Sequence, residues 1–375
     1  MASFAISHLS SVSSSSSLYF NIGTKIRTST SFSRYPNLTL KTKSLTVKAS
    51  STSLDYAVDK SSVSSKTGDW QWKFKDNSIK IHYEEHGNDS NGPSKNILMM
   101  PTISDVSTVE EWRLVAKDIV ERSGNVNWRT TIVDWPGLGY SDRPKLDYNA
   151  DVMESFLVDL ILAQDSPISS SEDLVIVGGG HAATLAIRAA KKGLVKPTAI
   201  AAVAPTWSGP LPIVFGRDSK TESRYGLLRE TLRAPAVGWM MYNMLVSNKK
   251  SIQSQYNSHV YADSTNVTPA IIESRYELTK QNGARYVPAA FLTGLLDPVK
   301  TREEFLELFE GLEGKLPVLV VSTSGAPRRS KAEMEALREA KGVSKFVEVP
   351  GALLPHEEYP TVVAKELYGF LQNLI

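Results

Sequence analysis

Cysteine is absent from all 375 residues of the chain. That excludes a thiol nucleophile, thiolate zinc or iron–sulfur centres, and disulfide switching. No apolar run is long enough for a transmembrane helix, which needs about 18 residues or more. Acid is missing from the first 49 residues, where Lys25, Arg27, Arg34, Lys41, Lys43 and Lys48 stand among many Ser and Thr. A basic, hydroxylated, acid-free start is the composition of a transit peptide, and Val47-Lys48-Ala49-Ser50 has the form of a plant stromal processing site. The expectation is import into the chloroplast and cleavage after Ala49, with the protein in the stroma or peripheral on a plastid membrane. Taking those six basic residues from the 42 Lys and Arg leaves 36 against 40 Asp and Glu, a net charge of about −4. No basic stripe interleaved with aromatics follows, so nucleic acid is not an expected partner.

Residues 50–69 are polar and serine-rich, the composition of a linker. From residue 70 the pattern changes. Trp70–Phe74 and Ile79–Tyr83 alternate as an edge hairpin, and short apolar strands then recur between helical stretches. Asn96–Met100, Trp128–Val133, Asp173–Val177 and Pro197–Val203 are the strands; Val109–Glu121 and Ala150–Ala163 are the helices. This rhythm predicts a doubly wound, mostly parallel α/β sheet. It stops after Thr206. Residues 207–290 are helical and aromatic, and the rhythm resumes at Pro317–Val321, Lys331–Ala340, Lys345–Val349 and Pro360–Ile375. The expected domain is 70–375, with a helical cap over about 207–290 inserted after the sixth strand.

Val175-Ile-Val-Gly-Gly-Gly-His-Ala-Ala183 is a strand, a glycine turn and a helix start, the form of a nucleophile elbow. Asp134-Trp-Pro-Gly-Leu-Gly-Tyr-Ser-Asp-Arg-Pro144 looks like a D-x-P-G-x-G-x-S-x-x-P turn, and Val349-Pro-Gly351 through Pro355-His-Glu-Glu-Tyr-Pro360 looks like a segment that carries a catalytic histidine. On these motifs residues 70–375 resemble the α/β-hydrolase fold superfamily, closest to its capped esterase, epoxide hydrolase and haloalkane dehalogenase branch.

The resemblance implies a nucleophile, a histidine base, an orienting acid and backbone oxyanion donors. Aligned on Gly178, the nucleophile position is Gly180. Leu353 stands where the histidine belongs and Ala326 where the acid belongs, so the triad positions are degenerate and no catalytic residue is expected among them. One oxyanion donor, the N–H of His181, survives; the other segment reads Met100-Pro101-Thr102-Ile103, and Pro101 has no N–H. His356 lies three residues past the expected base and is read as a surface residue at a helix entry. Asp297 is read as a turn or cap residue.

Met100, Thr102, Gly180, His181, Thr206 and Ser324 are the expected lining of whatever pocket remains. His181 either packs at the helix start or faces the pocket as a polar anchor or proton carrier. Ala234–Val246, with three Met, one Trp and one Tyr, either packs as core, roofs a cavity for an apolar plastid metabolite, or rests on a membrane beside Lys249-Lys250. Three functions stay open: a non-hydrolytic protein that binds a small apolar molecule or a protein partner, a lyase or isomerase using His181, and a hydrolase whose site has moved to His356 or Asp297. No cofactor or metal is implied.

Overall fold

The computed structural model describes residues 63–374 apart from 89–93, 123, 125 and 169–172. The expected leader and most of the expected linker lie outside the described residues. Eight strands form one sheet: β1 Val63–Phe74, β2 Asn77–Asn88, β3 Ser94–Met100, β4 Asn127–Val133, β5 Leu174–Gly179, β6 Ala199–Val203, β7 Val318–Thr323 and β8 Lys345–Val349. Their order is β1-β2-β4-β3-β5-β6-β7-β8. β2 runs antiparallel to β1 and β4, and every other pairing is parallel. β1 starts at Val63, inside the stretch expected as linker, because Val63 to Asp69 pair in register with His82 to Asn88. Polar side chains suit this edge strand, where backbone pairing rather than burial sets the pattern.

The central strands β5, β6 and β7 are buried along their whole length because both faces are covered. Leu98, Ile176, Ile200 and Val320 point into one core layer; Ile97, Met99, Val175, Val177, Leu319 and Val321 point into the other. α1 (Arg113–Glu121) and α13 (Pro360–Gln372) cover the second face. The first is covered by α2 (Ala150–Leu162), α3 (His181–Lys191) and α10 (Arg302–Glu310). α11 (Arg328–Glu335) lies between β7 and β8, and the short α12 (Pro355–Glu358) between β8 and α13.

Between β6 and β7 the chain forms the cap: α4 Pro210–Phe215, α5 Ser219–Arg233, α6 Pro235–Leu245, α7 Lys249–Gln255, α8 Pro269–Lys280 and α9 Tyr286–Leu292. α5 begins with a reciprocal capping box between Asp218 and Thr221. α6 lies so close to the end of α5 that a β-carbon on Gly238 would stand 2.1 Å from the Leu232 carbonyl oxygen, which is why glycine is found there. Gly238 and Tyr242 face inward, whereas Val237, Trp239, Met240 and Met244 face out. Those outward residues are neither core nor roof.

Candidate functional site

β5 delivers the chain to the turn Gly178-Gly179-Gly180, and α3 leaves from His181. Gly178 permits the close strand-to-helix return, since a β-carbon there would meet the Ala183 nitrogen at 2.7 Å. Gly180 has φ 54° and ψ −126°, a conformation that a side chain makes costly. Its N–H donates to Val203 O at 3.0 Å. The elbow backbone is thus intact at the position aligned with a nucleophile, and the nucleophile side chain is not there.

The residues expected at the acid and base positions pack apolarly. Ala326 packs with Ala204 and Met334, and Leu353 closes the same small apolar cluster. The Leu353 and Leu354 amides both donate to Val260 O in the cap, at 3.1 and 3.2 Å. The loop that carries the base position is therefore fixed to the cap by backbone bonds.

At the end of β3, Thr102 is not free for a substrate. Its N–H donates to Glu111 Oε2 at 2.8 Å and its hydroxyl to Glu111 Oε1 at 3.0 Å. The preceding carbonyls are also engaged: Trp112 Nε1 donates to Met100 O at 3.1 Å, and Trp135 Nε1 to Pro101 O at 2.8 Å. A buried carboxylate with an amide and a hydroxyl donated to it is well satisfied. Here it occupies the backbone donor that an oxyanion hole would need.

His356 corrects an expectation. It is fully buried rather than superficial, stacked on Trp112 at 3.9 Å between centroids, with Nε2 3.4 Å from Glu111 Oε2. Gly179 makes this possible, because a β-carbon there would lie 3.1 Å from His356 Cε1. Three residues of offset put the imidazole over the elbow from the side, against Glu111 and without a hydroxyl bonded to it.

The polar group that does assemble at the elbow is centred on His181. Its Nδ1 is 2.7 Å from Thr206 Oγ1 and its Nε2 is 3.4 Å from Asp297 Oδ1. Asp297 also accepts from Gly209 N at 2.9 Å and pairs with Arg217, whose Nη2 donates to Gly294 O at 2.9 Å. Both side chains are buried, and Phe291 meets the His181 ring edge-on. Asp297 is therefore the hub of a polar network, not a simple turn residue. With Nε2–H donating to Asp297, Nδ1 is left to accept the Thr206 hydroxyl proton. Thr206 Oγ1 lies 3.4 Å from where a β-carbon at position 180 would be. The hydroxyl missing from the elbow is thus replaced in space by one from the loop after β6.

Of the expected lining residues, Gly180, His181 and Thr206 come together, with Thr102 on their other side. Met100 belongs to the core, and Ser324 is exposed, its N–H bonded to Val349 O. A cavity of about 10 Å³, room for about one water, opens beside Thr206 and is lined by Trp207, Ser208, Ile213, Ser330 and Glu333. Glu111 and Arg217 had no local signal. Each meets its partners only through the tertiary fold.

A second charged group ties the cap down. Arg275 of α8 is buried; Nη1 donates to Glu110 at 2.6 Å, Nη2 to Glu357, and Nε to Tyr256 Oη at 3.0 Å. Burial raises the Glu110 carboxyl, but Arg275, Tyr140, Ser274 and Arg113 together outweigh it and hold the group below its ordinary range. In the D-x-P-G turn, burial pushes Asp134 up to about 7 although Tyr140 N and Val109 N both donate to it at 2.8 Å.

A model of the alpha/beta hydrolase family matches residues 107–366. Among solved structures, the chain is similar to the haloalkane dehalogenase DatA from Agrobacterium tumefaciens C58, at TM-score 0.59 and 16% identity over 83% of this chain and 97% of that one. It is also similar to a thermophilic esterase from Thermogutta terrifontis, at TM-score 0.56 and 15% identity over 82% and 99%. A bromoperoxidase from Bacillus anthracis gives TM-score 0.56 and 15% identity over 81% and 100%. At such identities the likeness is one of fold. Comparison with curated proteins gives no match.

Proposed function

We propose that this chain, which belongs to the alpha/beta hydrolase family, does not perform acyl transfer through the family's triad and instead works by binding an apolar partner. The observation that carries this reading is the apolar packing around Ala204, Ala326, Met334 and Leu353, where an acid and a base would have to face each other. A proton cannot be relayed through alanine and leucine side chains. The engaged Thr102 amide points the same way, since loss of one oxyanion donor alone removes about 10²–10³ in rate. The partner surface that best fits an apolar ligand is the outward face of α6, which no other described element covers. The acid-free start of the sequence supports a chloroplast setting for this role.

The test is labelling of the purified protein with a fluorophosphonate probe beside a panel of ester substrates. No labelling is expected, and turnover should be no faster than in a heat-denatured control. Reproducible turnover that vanishes in Thr206→Val would defeat the proposal.

A second reading is favoured by one specific observation, the Thr206–His181–Asp297 arrangement with its 2.7 Å and 3.4 Å contacts. Hydroxyl, imidazole and carboxylate stand in the order that general-base chemistry requires, although no part of it comes from the family's usual positions. In that case the protein is an enzyme with a relocated site, either a hydrolase or a lyase or isomerase with His181 as proton carrier. His181→Ala and Thr206→Val would then abolish turnover of a substrate that wild-type protein converts.

A further inference from the structure

α6 is an eleven-residue helix without one charged side chain. A helix that is apolar all round is normally enclosed, in a protein core or in lipid. Here only one side is enclosed: Gly238 packs on the end of α5, and Tyr242, four residues on, is buried near Arg143. On the opposite side Val237, Met240 and Met244 line up at i, i+3 and i+7, flanked by Trp239, and Trp239 is 61% and Met244 67% exposed. Leu227 on α5 and Phe215 at the end of α4 are exposed as well.

Basic side chains stand on the two helices that flank α6 in the chain. Lys220, Arg224 and Leu227 fall at i, i+4 and i+7 on α5, one stripe of that helix. Lys249 and Lys250 open α7 immediately after α6. Most of the acids on α5 and α8 are already engaged: Glu222 by Arg217, Glu230 by Arg233 and Glu273 by Lys249, while Asp218 caps α5; Glu277, exposed near Lys249, is the exception. Lys220 and Lys250 have no ion pair among the described residues.

From this juxtaposition we propose that the cap docks by α6 onto an anionic lipid surface, with Trp239, Met240 and Met244 entering the headgroup boundary and Lys220, Arg224 and Lys250 meeting lipid phosphates. The proposal rests on the reading of the protein as a binder of an apolar partner and names that partner. A bilayer suits an exposed, uncharged helix with tryptophan on its outer face and basic residues on the helices before and after it. A second copy of the chain suits it poorly, because a two-fold contact through α6 would bring the same basic flanks against each other. Docking lies in the plane of the membrane, since among the described residues no helix is long and apolar enough to cross one.

The experiment is flotation of the full chain with phosphatidylcholine vesicles, with and without phosphatidylglycerol. Wild-type protein should float with the phosphatidylglycerol vesicles and much less with phosphatidylcholine alone. Met240→Glu/Met244→Glu should lower binding more than tenfold while the thermal melt is unchanged, because both side chains already face water. Lys250→Gln, which disturbs no packing, should lower it about fivefold. The basic segment before residue 50 is common to all variants, so the differences report the cap. Equal flotation of wild type and the Met240/Met244 variant overturns the proposal, as does equal flotation with neutral and anionic vesicles, or none. Concentration-dependent self-association abolished by the same variant, without vesicle binding, overturns it in favour of a second copy. Fluorophosphonate labelling is measured in the same fractions. Labelled protein that floats leaves the docking and removes the non-hydrolytic reading; unlabelled protein that stays behind does the reverse.

Discussion

A β-carbon on Gly180 would meet Thr206 Oγ1 at 3.4 Å and Thr102 Cγ2 at 3.5 Å, which is ordinary contact, so a serine there has room. What it lacks is help: Leu353 and Ala326 offer no base or acid. Gly180→Ser should therefore give no fluorophosphonate labelling, and the strain of a side chain at φ 54°, ψ −126° should lower stability by about 1–3 kcal/mol, measured by urea unfolding. Labelling of that variant would mean that His181 or His356 serves as a base. His181→Ala tests the other polar residue. Removing the imidazole leaves Asp297 with Arg217 and Gly209 but deprives Thr206 of its partner, so a loss of about 1–3 kcal/mol is expected, with vesicle binding of the folded protein unchanged. The residues at 180, 326 and 353 could be singled out in the sequence because each sits at a fixed offset in a local motif, and their reading as vacated triad positions is part of the proposal. His356 was not: its burial depends on Trp112 and Glu111, more than 240 residues earlier in the chain. Asp297 was seen but undervalued for the same reason, since Arg217 and His181 reach it only once the cap is folded.

Among the elements, the strands were the most legible, because burial on both faces writes apolar runs into the second half of β3 and into β5 to β7. The edge was less so, and β1 gained Val63 to Asp69 because its pairing is backbone to backbone. Helix ends also moved: the expected start at Val109 is a 3-10 turn, with α1 proper beginning at Arg113, and the stretch to Ala340 splits into α11 and a 3-10 turn. β2 carries a titrating group that no periodicity reveals. The Arg113 guanidinium, with His82 and His86, overcomes the burial of Glu84 and holds its carboxyl well below the usual range. The Glu84 hydrogen bond raises His82, and Asp134 adds to it. The signs follow from linkage. Glu84, depressed in the fold, contributes stability that is complete above about pH 4.5 and is lost as pH falls toward its folded value. His82, raised, contributes stability that is complete below about 6.5 and is lost as pH rises through its folded value. Asp134, pushed up to about 7, disfavours the fold increasingly between its ordinary range and that value. Stability should therefore be greatest at about pH 4–5, where the Glu84 gain is nearly complete and the Asp134 cost has only begun, and fall from there toward pH 8. Urea unfolding at several pH values checks this, and His82→Gln should flatten the alkaline limb. A limb that stays as steep would locate the effect in Asp134 alone.

For the whole molecule, the placement of the cap after the sixth strand was legible because the βα rhythm breaks there and resumes, whereas the means of holding it was not. Arg275 reaches from α8 to Glu110 beside α1 and to Glu357 in α12, and Glu358 accepts the amides of Ala262 and Asp263 at 2.9 and 2.8 Å. These contacts join three stretches of chain at one buried guanidinium. Replacing Arg275 by Met removes the charge and leaves Glu110 with Arg113 but Glu357 buried without a cation, so the loss should be about 3–5 kcal/mol, the scale for breaking one side of a buried pair. A double variant, Arg275→Met with Glu357→Gln, should recover part of it, because the uncompensated charge is gone. The loss should also be local. Leu353 and Leu354 hang from Val260, so loosening α8 and the segment before it frees the loop over the elbow. Hydrogen exchange should then speed up across residues 256–280 and 351–358 before it does in β5 or β6. Uniform acceleration over the sheet would mean that Arg275 supports global stability and does not act as the latch of the cap. If exchange is confined to the cap and its loop, the same variant offers a direct check on the elbow. An opened cap that still shows no ester turnover would place the block at Leu353 and Ala326 and not at access.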